Sequence, residues 1–350
     1  GYIVLLFINP DGAWKAITDV IKNFFFWPAG PMRAKYFGTT LVKAAPLAMC
    51  SMSILFAYKV GLFNIGVAGQ YVAGAGAAIY GALAWNCGWL TCLILAIAAG
   101  AVFGALSGAL KAYCNLNWIG LYSVNMRLTK VKEPSSPYTN NITSFNTKAI
   151  LPNMGLDKLF GDNQYVTIAI PLAIIFAVAI SIILNKTRFG YELKATGNNK
   201  NAAKYCGMKE KRNIIITLVI GGGLAGMGAG LLYLTGIEQW SCSQSSVPSM
   251  GFNGIAAAFL GCLDPLGSLL SSFFIQHITN GGGYVDKTMY CSQISDLISS
   301  IIIYLCGFVM FFKVFMNSRI AKSEERKAAK AKAAEKALPV SENTDGGDKK

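Results

Sequence analysis

Charged residues are scarce in this chain of 350 residues, at 14% of the total, whereas an ordinary soluble domain carries about 25%. Hydrophobic residues make up 53%, and they are concentrated in blocks of roughly 20 residues, the length that crosses a ~30 Å hydrocarbon core. This composition excludes an ordinary soluble enzyme, a disordered chain and a disulfide-rich scaffold. It predicts an all-α, polytopic bundle of transmembrane helices.

Signatures of metal and nucleotide binding are also missing. There is one histidine, His277, and the nine cysteines include no Cys-x-x-Cys pair, so zinc and iron–sulfur sites are not predicted. No P-loop sequence is present, and a Gly-x-Gly-x-x-Gly match at 221–226 lies inside an apolar span rather than after a strand. We therefore assign no catalytic residue, no metal site and no cofactor.

Positive charge is distributed unevenly along the chain. Residues 186–212 hold 8 basic and 2 acidic residues, and residues 313–350 hold 10 basic and 6 acidic residues. Basic flanks of membrane spans stay in the cytoplasm, so both stretches are predicted to lie inside. A cytoplasmic N-terminus and about ten crossings satisfy this requirement. Lys43 and Lys59, near span ends, are expected to snorkel to the headgroups.

The apolar segments give the expected spans. They are Thr40–Tyr58, Gly66–Ala84, Leu90–Leu110, Val166–Leu184, Asn213–Leu234 and Ile294–Phe312. Two shorter segments, Gly254–Leu263 and Gly267–Thr279, are separated by Asp264 and Pro265, where proline favours a break. Broken helices at membrane depth need protein or water around their freed backbone groups, which indicates a translocation path with half-helices. A short, polar segment at Asn115–Met126 must supply one further crossing.

Small residues recur every four positions in three of these segments. The stripes are Gly100, Gly104 and Gly108; Gly222, Gly226 and Gly230; and Gly69, Ala73, Ala77 and Gly81. Residues four apart share one helix face, and small residues there let membrane helices approach closely. The stripes predict tight helix packing and carry no information about a substrate.

Two polar segments have a more specific composition. In Gly61–Gln70, Asn64 and Gln70 lie among glycines, which fits either a site for a neutral polar solute or a turn whose amides cap helix ends. In 194–208, Asn198 or Asn199 can cap a short helix that Gly207 ends. That surface helix either docks into a groove on a cytoplasmic partner or is a solvated loop helix.

Five ordered motifs resemble the permease subunits of bacterial ABC importers for nucleosides and simple sugars, which are related to the branched-chain amino acid and ribose permeases. The motifs are Leu41–Leu47, Gly61–Gln70, Phe189–Asn198, Ala202–Gly207 and Gly251–Gly261. The resemblance extends from about Asn9 to Val314. It implies an inner-membrane transport subunit that alternates between outward-open and inward-open states. It also implies a homologous second permease, two cytoplasmic ATPase subunits that hydrolyse ATP, and an extracytoplasmic substrate-binding lipoprotein.

The same resemblance implies two sets of functional residues. The pathway set comprises Phe63, Asn64, Gly66, Gln70, Phe252, Asn253 and Gly254. The ATPase-coupling set comprises Gly197, Asn198, Asn199, Ala202, Ala203, Lys204, Tyr205 and Gly207. For a nucleoside substrate, the amides of the pathway set would supply hydrogen bonds and the phenylalanines would stack on the base.

These expectations divide the chain into six parts. They are a remnant of a first transmembrane helix (1–9), an extracytoplasmic connector (10–39), an N-terminal bundle (40–126), an extracytoplasmic loop (127–165), a C-terminal bundle (166–316) containing the cytoplasmic coupling loop (186–212), and a charged cytoplasmic tail (317–350) expected to be disordered. Two features depart from the family pattern: residues of a longer span are missing near Asn115–Met126, and Ala68 and Asn253 stand where an acid is frequent.

Three other functions remain open from the sequence. An ABC permease for a sugar or a branched-chain amino acid has the same architecture. An ion-coupled secondary carrier would work without an ATPase, and sparse intramembrane acids argue against it. A membrane scaffold would use the basic loop and tail to hold soluble proteins.

Overall fold

A computed structural model describes residues 2–25, 30–109, 116–286, 288–290, 294–306, 308 and 315–320. The regular secondary structure of the described part is helical, and two isolated β-bridges join Lys132 to Thr139 and Tyr138 to Ser241. The α-helices are α1 (Tyr2–Ile8), α2 (Ala13–Phe25), α3 (Gly30–Tyr58), α4 (Val67–Leu83), α5 (Trp89–Ala109), α6 (Leu116–Leu128), α7 (Ile142–Phe145), α8 (Leu156–Leu159), α9 (Ala169–Lys186), α10 (Arg188–Asn198), α11 (Lys200–Tyr205), α12 (Glu210–Tyr233), α13 (Met250–Leu260), α14 (Pro265–Gly281) and α15 (Ile294–Cys306).

The predicted all-α membrane bundle is confirmed. Among the described residues, four stretches are long and apolar enough to cross a membrane: Met32–Tyr58, Trp89–Ser107, Ala169–Lys186 and Glu210–Tyr233. Helix α4 has 17 residues, and nearly all of its side chains are buried. The count of ten crossings stays a prediction.

Helix α3 begins ten residues earlier than the expected span. The connector predicted at 10–39 contains helix α2 and the first turns of α3, which starts at Gly30 and has Pro31 in its first turn. Proline is tolerated there because the first amides of a helix have no partner within the helix. Pro46 lies inside α3 and removes one of its internal hydrogen bonds.

The glycine stripes of α5 and α12 pack against each other, in keeping with the tight helix packing that the stripes predict. A Cβ added to Gly100 would collide with the Gly222 carbonyl oxygen, and one added to Gly226 would collide with the Ala96 carbonyl oxygen. Gly74 of α4 also contacts the backbone of Gly226. Three helices therefore meet at backbone distance around one glycine, which a side chain at that position would prevent.

The loop between α6 and α9 covers one end of this core. Leu151 donates its amide proton to the Leu234 carbonyl (3.0 Å), and Thr139 donates to the Trp240 carbonyl (2.9 Å). The side-chain amide of Asn146 donates to the carbonyl of Ala82 at 2.8 Å. This loop, predicted to be extracytoplasmic, therefore packs on the segment 234–249 that links α12 to α13. The basic loop 187–209 lies at the opposite end of α12.

Helix α6 occupies the position of the short, polar crossing. It packs along α4, where Val124 contacts Gly76. The Asn125 side chain accepts a hydrogen bond from the indole of Trp240 (2.8 Å) and donates one to the Gln244 carbonyl (3.0 Å). Both polar groups of this amide are therefore satisfied by protein. Residues 110–115, which precede the helix, lie outside the described residues.

The predicted break at Asp264 and Pro265 is confirmed. Helix α13 ends at Leu260 and α14 begins at Pro265, with the Asp264 carboxylate accepting from the amides of Leu266 and Gly267, each at 3.1 Å. Gly261 contacts the backbone of Gly267, which closes the turn tightly. The two short apolar segments therefore form an antiparallel helical hairpin.

The chain divides into two compact units, residues 1–306 and 307–350. Within the second unit, residues 315–320 are helical, and the Arg319 guanidinium lies 5.0 Å from the centre of the Phe315 ring. The end of the predicted span Ile294–Phe312, apart from residue 308, lies outside the described residues, as does most of the predicted tail.

Candidate functional site

The segment between α3 and α4, residues 59–66, is a non-helical linker with turns at both ends, and its side chains alternate in exposure; we call it the α3–α4 linker. Gly61 has a φ of +72°, a conformation that favours glycine. After it, Phe63 and Ile65 are exposed, whereas Leu62 and Asn64 are buried. This alternation points Asn64 into the protein and Phe63 away from it.

The buried amides of Asn64 and Gln70 bond to each other. Asn64 Nδ2 donates to Gln70 Oε1 at 3.0 Å, and Gln70 Nε2 donates to Asn64 Oδ1 at 3.3 Å. Gly66, at the N-cap of α4, makes no side-chain hydrogen bond, and the two amides bond to each other across the start of the helix. The pair fixes the α3–α4 linker to the first turn of α4. Because both side chains are buried, a direct contact with a solute would require the surrounding residues to move.

The Asn64–Gln70 pair lies about halfway along α12. A Cβ at Gly221, eleven residues into that helix, would come within 3.7 Å of Asn64 Nδ2 and 3.3 Å of Ser53 Oγ. Ser53 Oγ is buried and has no hydrogen-bond partner in the part of the chain that the structure describes. Helix α4 therefore begins inside the bundle rather than at its surface.

Helix α13 begins at the same depth. A Cβ at Gly251 would lie 2.6 Å from Ala68 Cα, and one at Gly254 would lie 2.8 Å from Cys50 Cβ of α3. Phe252 is 38% exposed, and the neighbouring Asn253 is partly exposed. From this point α13 descends beside α3, because Phe259 reaches the Tyr58 ring at 5.5 Å. The N-termini of α4 and α13 thus meet inside the bundle, and the two helices run towards opposite ends.

The predicted surface helix is present as α11 and is capped as expected. Asn199 Oδ1 accepts from the Ala202 amide at 3.0 Å, and Gly207, with a φ of +79°, follows the end of the helix. Ala203 is buried, and Tyr205 is 93% exposed. A cavity of about 630 Å³ lies between the start of α10 and the residues 206–212 that follow α11. The loop therefore presents an exposed tyrosine at the end of a capped helix.

The loop that carries α11 contacts the α3–α4 linker directly. A Cβ at Gly197 would collide with the Lys59 carbonyl oxygen and lie 3.1 Å from the Gly61 amide nitrogen. At the base of the loop, Asn213 Nδ2 donates to Thr196 Oγ1 at 3.3 Å. The two predicted residue sets are therefore separate in space but joined through the backbone of residues 59–61.

The ion pair between Lys43 and Glu238 was not expected. Lys43 Nζ lies 3.0 Å from Glu238 Oε1, which joins α3 to the segment 234–249, and both side chains are partly exposed. Lys43 lies 13 residues inside α3, and its snorkelling stays a prediction. A cation within an apolar helix was the available signal, because intramembrane charges are usually paired.

The family model described as "Branched-chain amino acid transport system / permease component" matches residues 36–307. The nucleoside ABC transporter permease protein NupB of Lactococcus lactis is 31% identical over 96% of this chain and 94% of its own length. The guanosine ABC transporter permease protein NupP of Bacillus subtilis is 30% identical over 79% of this chain and 83% of its own length. The glucose ABC transporter permease protein TsgB13 of Haloferax volcanii is 28% identical, over 79% and 78% respectively. No solved structure matches the chain.

Proposed function

The chain belongs to the family of branched-chain amino acid transport system permease components, and on that basis we propose that it carries a nucleoside across the membrane by alternating access. As a member it is a multi-pass protein of the cell membrane and a transport subunit of an ABC transporter complex. Nucleosides are proposed as the substrate because two relatives with at least 30% identity are nucleoside and guanosine permeases.

The observation that carries this proposal is the meeting of two helix N-termini beside Ala68 and Gly251. Free amides at helix N-termini attract electronegative groups, and transporters place such half-helix ends at the middle of the membrane. A nucleoside offers carbonyl and hydroxyl oxygens to those amides and an aromatic base to Phe63 and Phe252, both of which are exposed. Asn253 is the amide of the pathway set available without rearrangement.

We propose that Asn64 and Gln70 hold the α3–α4 linker in its present conformation, because their side-chain amides bond to each other. Gly66 and Gly254 permit the close approach of the helices around the meeting point of the N-termini of α4 and α13. Alternating access would then include rearrangement of residues 59–66, which lie between the coupling loop and the start of α4.

The coupling proposal concerns α11. Tyr205, with Ala202 and Lys204 exposed beside it, would enter a groove on a cytoplasmic ATPase. Asn199 and Gly207 shape the helix, Asn198 and Gly197 connect it to α10, and Ala203 packs it against the loop. Motion of the ATPase would reach the α3–α4 linker through the contact of Gly197 with Lys59. A homologous second permease, two ATPase subunits and an extracytoplasmic lipoprotein complete the proposed complex.

A sugar is the second candidate substrate, because the glucose permease TsgB13 is also similar to the chain. Phe63 and Phe252 would distinguish the two classes, since a flat base stacks on a phenyl ring more extensively than a sugar does. Replacing Phe252 with alanine should weaken nucleoside uptake about tenfold, at ~1.4 kcal/mol per decade.

The test is uptake of radiolabelled guanosine or uridine by vesicles that contain the full complex. We expect ATP-dependent uptake that unlabelled nucleosides inhibit and sugars do not. If sugars inhibit the uptake and nucleosides do not, the substrate is a sugar and not a nucleoside. Uptake that persists after ATP depletion would favour an ion-coupled carrier.

The matched pair for coupling is Tyr205→Glu and Tyr138→Glu. Both tyrosines are exposed, but Tyr138 lies in the loop at the opposite end of the bundle. We expect the first variant to lose both ATPase copurification and uptake, and the second to retain both. Equal behaviour of the two variants would contradict the role of α11.

A further inference from the structure

The cavity between the start of α10 and residues 206–212 has a positively charged lining. Its volume is about 630 Å³. Three cationic side chains line it, those of Arg188, Lys209 and Arg212, and all three are exposed. Glu192 is the one acid among the lining residues that the structure describes. The lining therefore carries an excess of positive charge that opens to the surroundings.

Glu192 leaves most of this positive charge available to a ligand. Arg188 Nε donates to Glu192 Oε1 at 3.2 Å, across one turn of α10. A guanidinium has five N–H donors, so the four on the terminal nitrogens remain. The side chains of Lys209 and Arg212 make no hydrogen bond or ion pair within the part of the chain that the structure describes. The first turn of α12, at the same place, has no side-chain cap on its amides.

The cavity lies where two membrane spans end. The span α9 ends two residues before Arg188, and the span α12 begins two residues before Arg212. Helix α10 folds back on α9, because a Cβ on Gly190 would collide with the Ile183 carbonyl oxygen in the last turn of α9. The exposed Tyr191 in the lining is of a residue type enriched at the membrane–water interface. These positions place the cavity at the level of the lipid headgroups.

Apolar side chains continue from the cavity along both spans. On α12, Ile215 is exposed and lies three residues after Arg212, on the same face of the helix. On α9, Ile182 is exposed one turn before the end of the helix. The cavity lining itself includes Phe189 and Met208. A ligand with an anionic head and an apolar tail would therefore find cations at the cavity and apolar side chains beside it.

A phosphate and an acidic side chain of the ATPase are the two anions that such a cavity could receive. Lys204 and Tyr205, which are exposed on α11, do not line it, so the cavity is separate from the surface proposed to bind the ATPase. Guanidinium groups suit phosphate oxygens, and basic pockets between membrane helices at their cytoplasmic ends bind anionic lipid headgroups. Together with the neighbouring apolar side chains, this favours an amphiphile over a soluble acidic segment.

We propose that the cavity binds the phosphate of an anionic phospholipid in the membrane leaflet that meets the end of α9. Lys209 and Arg212 bind the phosphate together with the terminal nitrogens of Arg188, and an acyl chain lies along Ile215. The lipid bridges α10 and the start of α12, so it holds the base of the loop that carries α11. The proposed function enters only in naming the leaflet, which is the cytoplasmic one if this loop faces the ATPase.

The test compares retention of phosphatidylglycerol and phosphatidylcholine, supplied equally and with the same acyl chains, by native mass spectrometry of the purified complex. Arg212→Gln removes one lining cation, and Lys209→Gln/Arg212→Gln removes two. The matched control is Lys211→Gln, because Lys211 is an exposed cation between these two residues and does not line the cavity. A second arm repeats the measurement with an excess of inorganic phosphate. All the replaced side chains are exposed, so the variants should fold.

We expect the unmodified protein to retain phosphatidylglycerol about tenfold more than phosphatidylcholine, as one charge-assisted hydrogen bond provides. Arg212→Gln should lower this ratio, and the double variant should abolish it. Lys211→Gln should keep the ratio of the unmodified protein. Inorganic phosphate should leave the ratio unchanged, because it lacks the acyl chains that contact the spans.

Four results would overturn the proposal. Equal retention of the two lipids by the unmodified protein would show that the cavity does not select an anionic headgroup, and equal losses in Arg212→Gln and Lys211→Gln would show that the charge acts without the cavity. Loss of the preference in inorganic phosphate would identify a site for free phosphate. Loss of the ATPase from the double variant with an unchanged lipid ratio would identify an acidic surface of the ATPase as the occupant.

None of these measurements uses nucleoside uptake. Failure of the lipid preference therefore leaves the proposed transport function standing, and failure of uptake with the lipid preference intact leaves the lipid site standing.

Discussion

Lys43 Nζ and Glu238 Oε1 lie 3.0 Å apart, although 194 residues separate them in the sequence. The pair joins α3 to the segment that leads into α13, and both side chains are partly exposed. Loss of one partner leaves the other, partly exposed charge without its counter-ion. We expect Lys43→Met or Glu238→Gln to lower the free energy of unfolding by about 1–2 kcal/mol, less than for a fully buried pair because of the exposure.

The exchanged variant Lys43→Glu/Glu238→Lys is the control for this ion pair. Thermal unfolding of the purified complex should place it closer to the unmodified protein than either single variant. If it is the least stable of the three, the pairing contributes nothing and the two side chains act independently.

Helix packing at Gly226 should not tolerate even one methyl group. A Cβ there collides with the Ala96 carbonyl oxygen and lies 3.1 Å from Gly100 Cα, both of them backbone atoms that cannot move alone. We expect Gly226→Ala to lower the free energy of unfolding by about 1–3 kcal/mol, the usual range for overpacking. In Gly223→Ala, the new Cβ would meet Ile97 Cγ2 at 3.4 Å, an ordinary contact.

Unfolding midpoints of the two glycine variants in the same detergent check this difference. Gly223→Ala should unfold within a degree or two of the unmodified protein, since ordinary contacts add no strain. Equal midpoints for both variants would mean that α5 and α12 can separate at no cost.

The Asn64–Gln70 pair predicts non-additive effects. Asn64→Leu leaves the buried amide of Gln70 without its partner, at a cost of about 1–2 kcal/mol, and Gln70→Leu does the same to Asn64. The double variant removes both polar groups and should cost less than the sum of the single variants by about 1 kcal/mol. Unfolding of the four proteins of this cycle provides the measurement, and additive costs would show that the amides are solvated separately.

The cap of α11 predicts a local difference between two adjacent asparagines. Asn199→Ala removes the acceptor for the Ala202 amide, which costs about 1 kcal/mol of helix stability. Amide hydrogen exchange over 200–205 should become about fivefold faster. Asn198→Ala leaves the cap unchanged, so its exchange rates should equal those of the unmodified protein. Faster exchange in both variants would point to a general loosening of the loop.

Local signals in the sequence were sufficient for several elements. The glycine stripes predicted close helix packing, because backbone contact requires small residues at a helical period, but not which helices meet. Asp264 and Pro265 predicted the break between α13 and α14. Asn198 or Asn199 was the predicted cap of the short helix α11, and the structure has Asn199 in that position. In each case the physical cause lies within a few residues of the feature.

The start of α3 was missed although a signal was present. Residues 30–39 are too polar for a membrane span, so the span was placed from Thr40. Hydropathy detects the hydrocarbon core, whereas a helix continues beyond it wherever its backbone bonds are satisfied. Pro31 after Gly30 is the local mark of that earlier start.

By itself the sequence determined the class of protein, most of its long apolar helices, the small-residue faces on which they pack closely and its resemblance to a transport family, because these depend on composition and on short-range periodicity. Tertiary structure alone decided which distant residues meet. It paired Lys43 with Glu238, placed Gly197 against Lys59, and brought the N-termini of α4 and α13 together at Ala68 and Gly251. Such contacts depend on how the helices pack in three dimensions, and no local pattern in one chain specifies that packing.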